Sequence, residues 1–143
     1  MTNDHLVRGY LEKARARLKT LPVLLAEGDH SDVIRESQEI VELLLKALLR
    51  HAGVEPPKWH DVGECLQAHA LRIPSLAPAD LVRLVAVSSR LGGERSIAFY
   101  GDETGGTDFG ELYSEEDARE AIADAGWVLD VVARACSGGG TGS

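Results

Sequence analysis

The sequence has few of the features that mark secreted, metal-binding or membrane-spanning proteins. It contains two cysteines, Cys65 and Cys136, without a CxxC or other metal-ligand spacing. This pattern favours two small apolar residues in a reducing compartment over a disulfide. No run approaches the roughly 20 apolar residues of a membrane span, and the first ten residues have no apolar signal core. We therefore expect a cytoplasmic protein that does not engage a membrane.

Catalytic signatures are also missing. The chain has no GxSxG, Walker A, HExxH or GxGxxG motif. Ser88 and Ser89 have no evident base partner in the sequence, so a serine nucleophile is unsupported. The sequence alone therefore predicts neither a cofactor nor a bound metal ion.

The negative charge is concentrated in the second half of the chain. Net charge is -8; residues 1–60 contain 9 Lys+Arg and 9 Asp+Glu, whereas residues 61–143 contain 6 and 14. An acidic protein does not attract nucleic acid over its whole surface. Binding of RNA or a nucleotide would therefore need a local basic site, such as one assembled between subunits.

The hydrophobic periodicity predicts helices and no strand, because β-branched runs are scarce and Leu, Ala, Glu and Arg are abundant. In the second helix, Arg35 with Glu39 and Glu42 with Lys46 are opposite-charge pairs at i,i+4 spacing. The pattern predicts one all-α domain, an up-and-down bundle of about five helices over residues 1–136, and a flexible Gly/Ser tail at 137–143. The predicted helices cover about residues 4–27, 32–52, 61–71, 78–99 and Ser114 to Cys136.

Three local signals refine these helices. Pro22 should kink the first helix, since proline removes a backbone donor and crowds the preceding turn. Gly92 and Gly93 weaken the fourth helix and predict a break or bend there. Ser114 followed by Asp117 resembles a capping box and predicts the start of the last helix.

Two groups of residues have metal-ligand chemistry but poor spacing. His60 and Asp61 form an HD pair without a second cluster, so a helix cap at Asp61 is the stronger interpretation. Four loop acids could offer oxygen ligands, but their spacing does not match an EF-hand, and a solvated acidic loop is the stronger interpretation. These loop acids are Asp102, Glu103, Asp108 and Glu111.

A third candidate site lies near the end of the fourth helix, at Arg90, Arg95 and Tyr100. A guanidinium can hold a phosphate with paired hydrogen bonds, and a tyrosine can stack on a base or donate its hydroxyl. On a straight helix the two arginines lie about 140° apart, so a bend at the glycines would be needed to bring them onto one face. In the alternative interpretation, Arg95 pairs with a nearby carboxylate and Tyr100 packs beneath the loop.

Two segments carry a resemblance to a known family. The segment "LLAEGDHSDVIRESQEIVELLLKALLRHAGVEPPKWHDVGECL" resembles the HEPN domain, named for higher eukaryote and prokaryote nucleotide binding. The segment "LYSEEDAREAIADAGWVLDVV" resembles the last helix of that family. The likeness extends over about residues 5–136. Its family-like positions are Gly28-Asp29, Ser37-Gln38, Glu42, Lys46-Ala47-Leu48 and His60-Asp61.

This resemblance implies an all-α bundle that is usually dimeric. Many family members are metal-independent endoribonucleases with an Arg-x4–6-His motif near the dimer seam, and many are paired with a small nucleotidyltransferase as toxin and antitoxin. In the matching segment, "RSIAFY", Arg95 stands at the arginine position and Ser96 at the polar position that follows it. Tyr100 stands where the histidine would be. Histidine exchanges protons near neutral pH, whereas tyrosine titrates near 10 and is a poor base.

These observations lead to three hypotheses. The first is a homodimeric HEPN-fold protein with a degenerate ribonuclease motif that binds nucleotide, RNA or a nucleotidyltransferase partner. Its nucleotide or RNA contacts would be Arg90, Arg95, Ser96 and Tyr100. The second is a weak metal-independent endoribonuclease that uses Arg95 and Tyr100 across a dimer. The third is a structural interaction module whose acidic half docks a basic partner.

Overall fold

Helices account for most of the chain. The computed structural model describes residues 2–58, 62–100 and 112–140, with the backbone alone for residue 2 and for residues 93–100 and 138–140. No strand occurs among these residues, which confirms the all-α prediction. The elements are α1 (Thr2–Leu18), α2 (Leu21–Ala26), α3 (His30–His51), α4 (Val62–Ala68), a 3₁₀ turn (Ala70–Arg72), α5 (Pro78–Tyr100) and α6 (Glu115–Gly140).

Helix α3 lies at the centre and packs against α1, α5 and α6. Helix α1 runs antiparallel to it. Near the start of α1, the Asn3 amide donates to the backbone carbonyl of Arg50, close to the end of α3. Near the end of α1, Arg17 Nε lies 3.0 Å from Glu36 Oε2, in the first half of α3. Contacts at both ends therefore fix the register of this helix pair.

The two C-terminal helices, α5 and α6, are also antiparallel. Arg83, early in α5, places its guanidinium carbon 3.9 Å from the ring centre of Trp127. Arg90, two turns later in α5, forms an ion pair with Asp124, which lies one turn earlier in α6. Tyr113 lies just before the start of α6, and its backbone carbonyl oxygen is 3.2 Å from Nδ1 of His30, at the start of α3. Helices α3 and α6 therefore begin at the same end of the bundle. The four long helices thus alternate in direction, as an up-and-down bundle requires.

The core is formed mainly by the apolar face of α3. Its seven predicted core residues are all essentially inaccessible to solvent, and burial of each stabilises the fold by roughly 1.5–3 kcal/mol. These residues are Ile34, Ile40, Val41, Leu44, Leu45, Leu48 and Leu49. The predicted i,i+4 ion pairs on the outer part of the same helix are also present: Arg35 lies 3.3 Å from Glu39 and Lys46 lies 3.9 Å from Glu42.

The prediction of one kinked helix over residues 4–27 is wrong. Helix α1 ends at Leu18 and α2 begins at Leu21, with Pro22 in the first turn of α2. A proline ring clashes with the carbonyl four residues earlier, which here belongs to Leu18, and its missing N–H costs nothing in the first turn of a new helix. Pro22 therefore separates two helices and does not kink one.

Of the break or bend predicted at Gly92 and Gly93, the break does not occur, because α5 continues to Tyr100. Gly92 lies against α3, where a Cβ added to it would stand 3.9 Å from the Gln38 side-chain nitrogen. Packing on a neighbouring helix outweighs a low intrinsic propensity of about 1 kcal/mol per glycine. Helix α6 extends to Gly140, beyond the predicted end at Cys136. The boundary between bundle and tail at residue 137 stays a prediction.

The start of α6 confirms the capping box. The Ser114 hydroxyl accepts a hydrogen bond from the backbone N–H of Asp117 at 3.1 Å, and the Asp117 carboxylate accepts one from the N–H of Ser114 at 3.0 Å. Two otherwise unpaired donors at the helix start are satisfied in this way. The reciprocal bonds fix where the last helix begins, and therefore its register against α3.

Candidate nucleic-acid interface

Helix α5 carries all four residues that the sequence analysis places at a phosphate-binding site. Arg90, Arg95, Ser96 and Tyr100 follow one another on a single continuous helix. Because that helix is not broken at the glycines, the backbone positions of Arg90 and Arg95 lie about 140° apart around its axis. The structure describes only the backbone of Arg95, Ser96 and Tyr100. The two arginines thus start from different faces of α5.

The Arg90 guanidinium is held by α6. It contacts the carboxylate of Asp124, and its Nη1 lies 4.0 Å from Glu120 Oε2. The Arg90 side chain is 40% exposed, whereas that of Asp124 is only 13% exposed. A partly desolvated carboxylate depends on its counter-charge more than a solvated one does. Arg90 therefore joins α5 to α6, and a phosphate would have to compete with Asp124 for it.

Two buried polar side chains of α3 lie in the central part of the bundle. Ser37 is 0% exposed and Gln38 is 6% exposed. Neither the Ser37 hydroxyl oxygen nor the Gln38 amide oxygen has a hydrogen-bond partner among the described residues. A buried acceptor without a partner costs about 1–3 kcal/mol, and such groups are infrequent enough in folded proteins to need an explanation.

Gln38 also lies next to the α5 segment that carries the candidate site. Its side-chain nitrogen faces Gly92. On a helix, the residues three and four positions after a given residue lie close to its face. For Gly92 on α5, these residues are Arg95 and Ser96. Gln38 is one of the family-like positions, but no sequence pattern placed it in the site. A glutamine within the apolar face of a predicted helix was the signal that could have drawn attention to it.

The other two candidate groups lie outside the described residues. This applies to His60 and Asp61 and to the loop acids Asp102, Glu103, Asp108 and Glu111. Within residues 2–58, 62–100 and 112–140, no three His, Cys, Asp or Glu side chains come close enough together to hold a metal ion. None of the described helices combines the length and the apolar composition needed to cross a membrane.

The family model of the HEPN domain matches residues 7–135 of the chain. The chain belongs to the HEPN domain family. No curated protein and no solved structure has significant similarity to it. The match covers α1 to α6 nearly completely, so the whole bundle described above is the HEPN fold, which is generally associated with nucleotides and RNA.

Two of the family-like positions have clear structural roles in this HEPN domain. Gly28, with a φ of 76°, ends α2 in the left-handed region that glycine tolerates best. Asp29 then caps α3, since its carboxylate accepts a hydrogen bond from the N–H of Asp32 at 3.3 Å. The Gly-Asp pair therefore sets the start of α3, while Ser37 and Gln38 remain without a role in helix formation.

Proposed function

We propose that this HEPN domain binds single-stranded RNA or a nucleotide through the last turns of α5. Arg95 is the main phosphate contact in this proposal, with Ser96 and Tyr100 beside it. The observation that carries the proposal is the buried amide of Gln38, whose nitrogen faces Gly92 and whose oxygen has no hydrogen-bond partner among the described residues. A buried polar group without a hydrogen bond lowers stability. Beside the candidate motif, such a group is explained better by a binding role than by packing.

The pairing of Arg90 with α6 favours Arg95 as the phosphate contact. Arg90 contacts Asp124 and lies near Glu120, so its charge is largely neutralised within the bundle. Phosphate binding by arginine gains most when both guanidinium edges are available for paired hydrogen bonds. We therefore propose that Arg90 is a supporting cation that holds α5 against α6, while Arg95 meets the ligand.

Cleavage of RNA is the less favoured function. The family's histidine position is Tyr100 in this chain, and a tyrosine hydroxyl exchanges protons poorly near neutral pH. Arginine can still stabilise phosphate charge without a proton shuttle. The proposal is accordingly a binding protein with a degenerate ribonuclease motif, and the alternative is a weak metal-independent nuclease that uses Arg95 and Tyr100.

Family membership suggests the cellular setting. We propose a cytoplasmic homodimer that pairs with a small nucleotidyltransferase as in toxin–antitoxin systems. A purely structural interaction module, with the acidic half of the chain docked on a basic partner, is the third candidate. It predicts partner binding that weakens with salt and no affinity for RNA.

A binding titration tests the proposal. Short single-stranded RNA with a fluorescent label is titrated with the wild-type protein, with Arg95→Ala and with Gln38→Leu, and anisotropy is measured in EDTA. We expect Arg95→Ala to weaken binding about tenfold or more, since a charge-assisted phosphate contact is worth about 1.5–3 kcal/mol. Gln38→Leu should weaken binding less while it stabilises the fold.

The matched control is Arg72→Ala, which removes an exposed arginine from the 3₁₀ turn. It should leave RNA affinity nearly unchanged. Equal affinity for RNA in wild type and Arg95→Ala would refute the proposed contact. Loss of full-length RNA in EDTA, abolished by Tyr100→Phe, would establish the nuclease alternative in its place.

A further inference from the structure

A groove lies between α1, the end of α3 and the end of α6. It has a volume of about 490 Å³, and its basic residues are Arg8, Arg15 and His51. This volume is within the range of small-molecule sites, about 300–1,000 Å³. His51, at one end of the groove, lies 13 residues after Gln38 on α3, roughly 20 Å along the helix axis. Arg15, at the other end, lies two residues before Arg17, which pairs with Glu36 and Glu39, so the groove runs along the bundle. No described residue of α5 lines it.

Two arginines of α1, Arg8 and Arg15, border the groove. Arg8 and Arg15 are seven residues apart, so they lie on nearly the same face of α1 and about 10 Å apart along it. Neither forms an ion pair with a described carboxylate, although Asp4 also lines the groove. Arg17, two residues after Arg15, does contact two glutamates. In a chain with net charge -8, two unpaired arginines in one groove form a local anion-attracting surface.

The remaining part of the groove lining is mostly apolar. It includes Val7 and Leu11, which are 6% and 8% exposed, together with Ala133 and Cys136. Burial raises the pKa of the Cys136 thiol to about 11, so the thiol is neutral at pH 7 and does not oppose the arginines. An apolar surface beside two guanidinium groups suits a ligand that has a phosphate and an apolar or planar organic part.

We propose that this groove is a binding site for a small organophosphate of about the size of a nucleoside monophosphate. Arg8 and Arg15 hold the phosphate, and the organic part lies over Val7, Leu11 and Ala133. The site is separate from the α5 site, and the proposal does not rest on the proposed RNA-binding function. A free phosphate ion, which lacks the organic part, binds more weakly than the complete ligand.

Cys136 provides a local reporter. In a Cys65→Ser protein it is the single thiol of the chain, and its reaction with N-ethylmaleimide is followed at pH 9, where more thiolate is present. AMP, adenosine and inorganic phosphate are the probes. We expect millimolar AMP to slow the modification of Cys136 at least fivefold. Adenosine should give little protection, and phosphate an intermediate degree.

Matched variants separate the groove from the α5 site. In the double variant Arg8→Ala/Arg15→Ala, the AMP concentration needed to protect Cys136 should rise at least tenfold. Lys13→Ala, which removes an exposed cation of the same helix outside the groove, should not change it. Arg95→Ala should also leave it unchanged, whatever happens to RNA binding. Absence of protection by AMP, or equal protection in the double arginine variant, would overturn the proposal. Protection by short RNA but not by AMP would overturn it too.

Discussion

The two faces of α1 place arginines in opposite electrostatic situations. On the face toward α3, Arg17 lies 3.0 Å from Glu36 and 3.1 Å from Glu39. On the face toward α6, Arg8 and Arg15 border a groove and have no ion-pair partner among the described residues. Since carboxylates outnumber cations in this chain by 23 to 15, partners are plentiful. An arginine that remains unpaired is therefore more informative here than a paired one.

The comparison separates structural from available cations. A guanidinium between two carboxylates holds two helices together, and a ligand must displace a partner to use it. A guanidinium beside an apolar groove gains by binding an anion, because it gives up only water. By this criterion Arg90, which contacts Asp124, belongs with Arg17 as a structural residue.

The largest effect is expected at Arg17. Arg17→Ala removes the counter-charge of Glu36, whose side chain is only 15% exposed, and takes one cation away from Glu39, which keeps Arg35 at 3.3 Å. We expect the free energy of unfolding to fall by about 1–2 kcal/mol, between the values for exposed and buried pairs. Urea unfolding followed by circular dichroism measures it.

Arg15→Ala is the matched control for Arg17→Ala. It removes the same side chain two residues earlier on the same helix, where no described carboxylate depends on it. Its effect on the free energy of unfolding should stay within about 0.5 kcal/mol. Similar losses in both variants would remove the distinction between the two faces of α1.

Arg90→Ala should have a smaller effect that depends on salt. The Arg90 side chain is 40% exposed, so its ion pair is partly screened, and we expect a loss of about 0.5–1 kcal/mol at low ionic strength. At 1 M salt the screening length is about 3 Å, and the loss should shrink. An effect that does not change with salt would show that Arg90 contributes by packing and would weaken its assignment as an ion-pair residue.

The sequence was sufficient to predict the fold where local and tertiary preferences agree. The apolar face of α3, the capping box at Ser114 and the ion pair of Arg35 with Glu39 follow from spacing alone. The continuity of α5 through Gly92 did not, because it depends on packing against α3. The end of α1 was also mispredicted, since periodicity continues across Pro22 while the backbone does not.

The candidate site was less predictable for a related reason. Arg90 and Arg95 have the same side chain, and the sequence does not indicate that Asp124 reaches Arg90 from a helix more than 30 positions away. The unpartnered oxygen of Gln38 and the groove at Arg8 and Arg15 are likewise products of helix packing. Residue types predict which chemistry is available, while pairing across helices decides which cations stay available for a ligand.

The smallest effect is expected at Arg83, which contacts a ring and pairs with no described carboxylate. Its guanidinium lies 3.9 Å from the centre of the Trp127 ring, and such a contact is worth about 0.5–1 kcal/mol when exposed. Arg83→Gln keeps much of the side chain but removes the charge, so we expect a loss of about 0.5 kcal/mol. In a Trp59→Phe background, where Trp127 is the single tryptophan of the chain, Arg83→Gln should also change the fluorescence emission of Trp127. An unchanged emission spectrum and an unchanged unfolding midpoint would mean that this arginine is available in the same sense as Arg8.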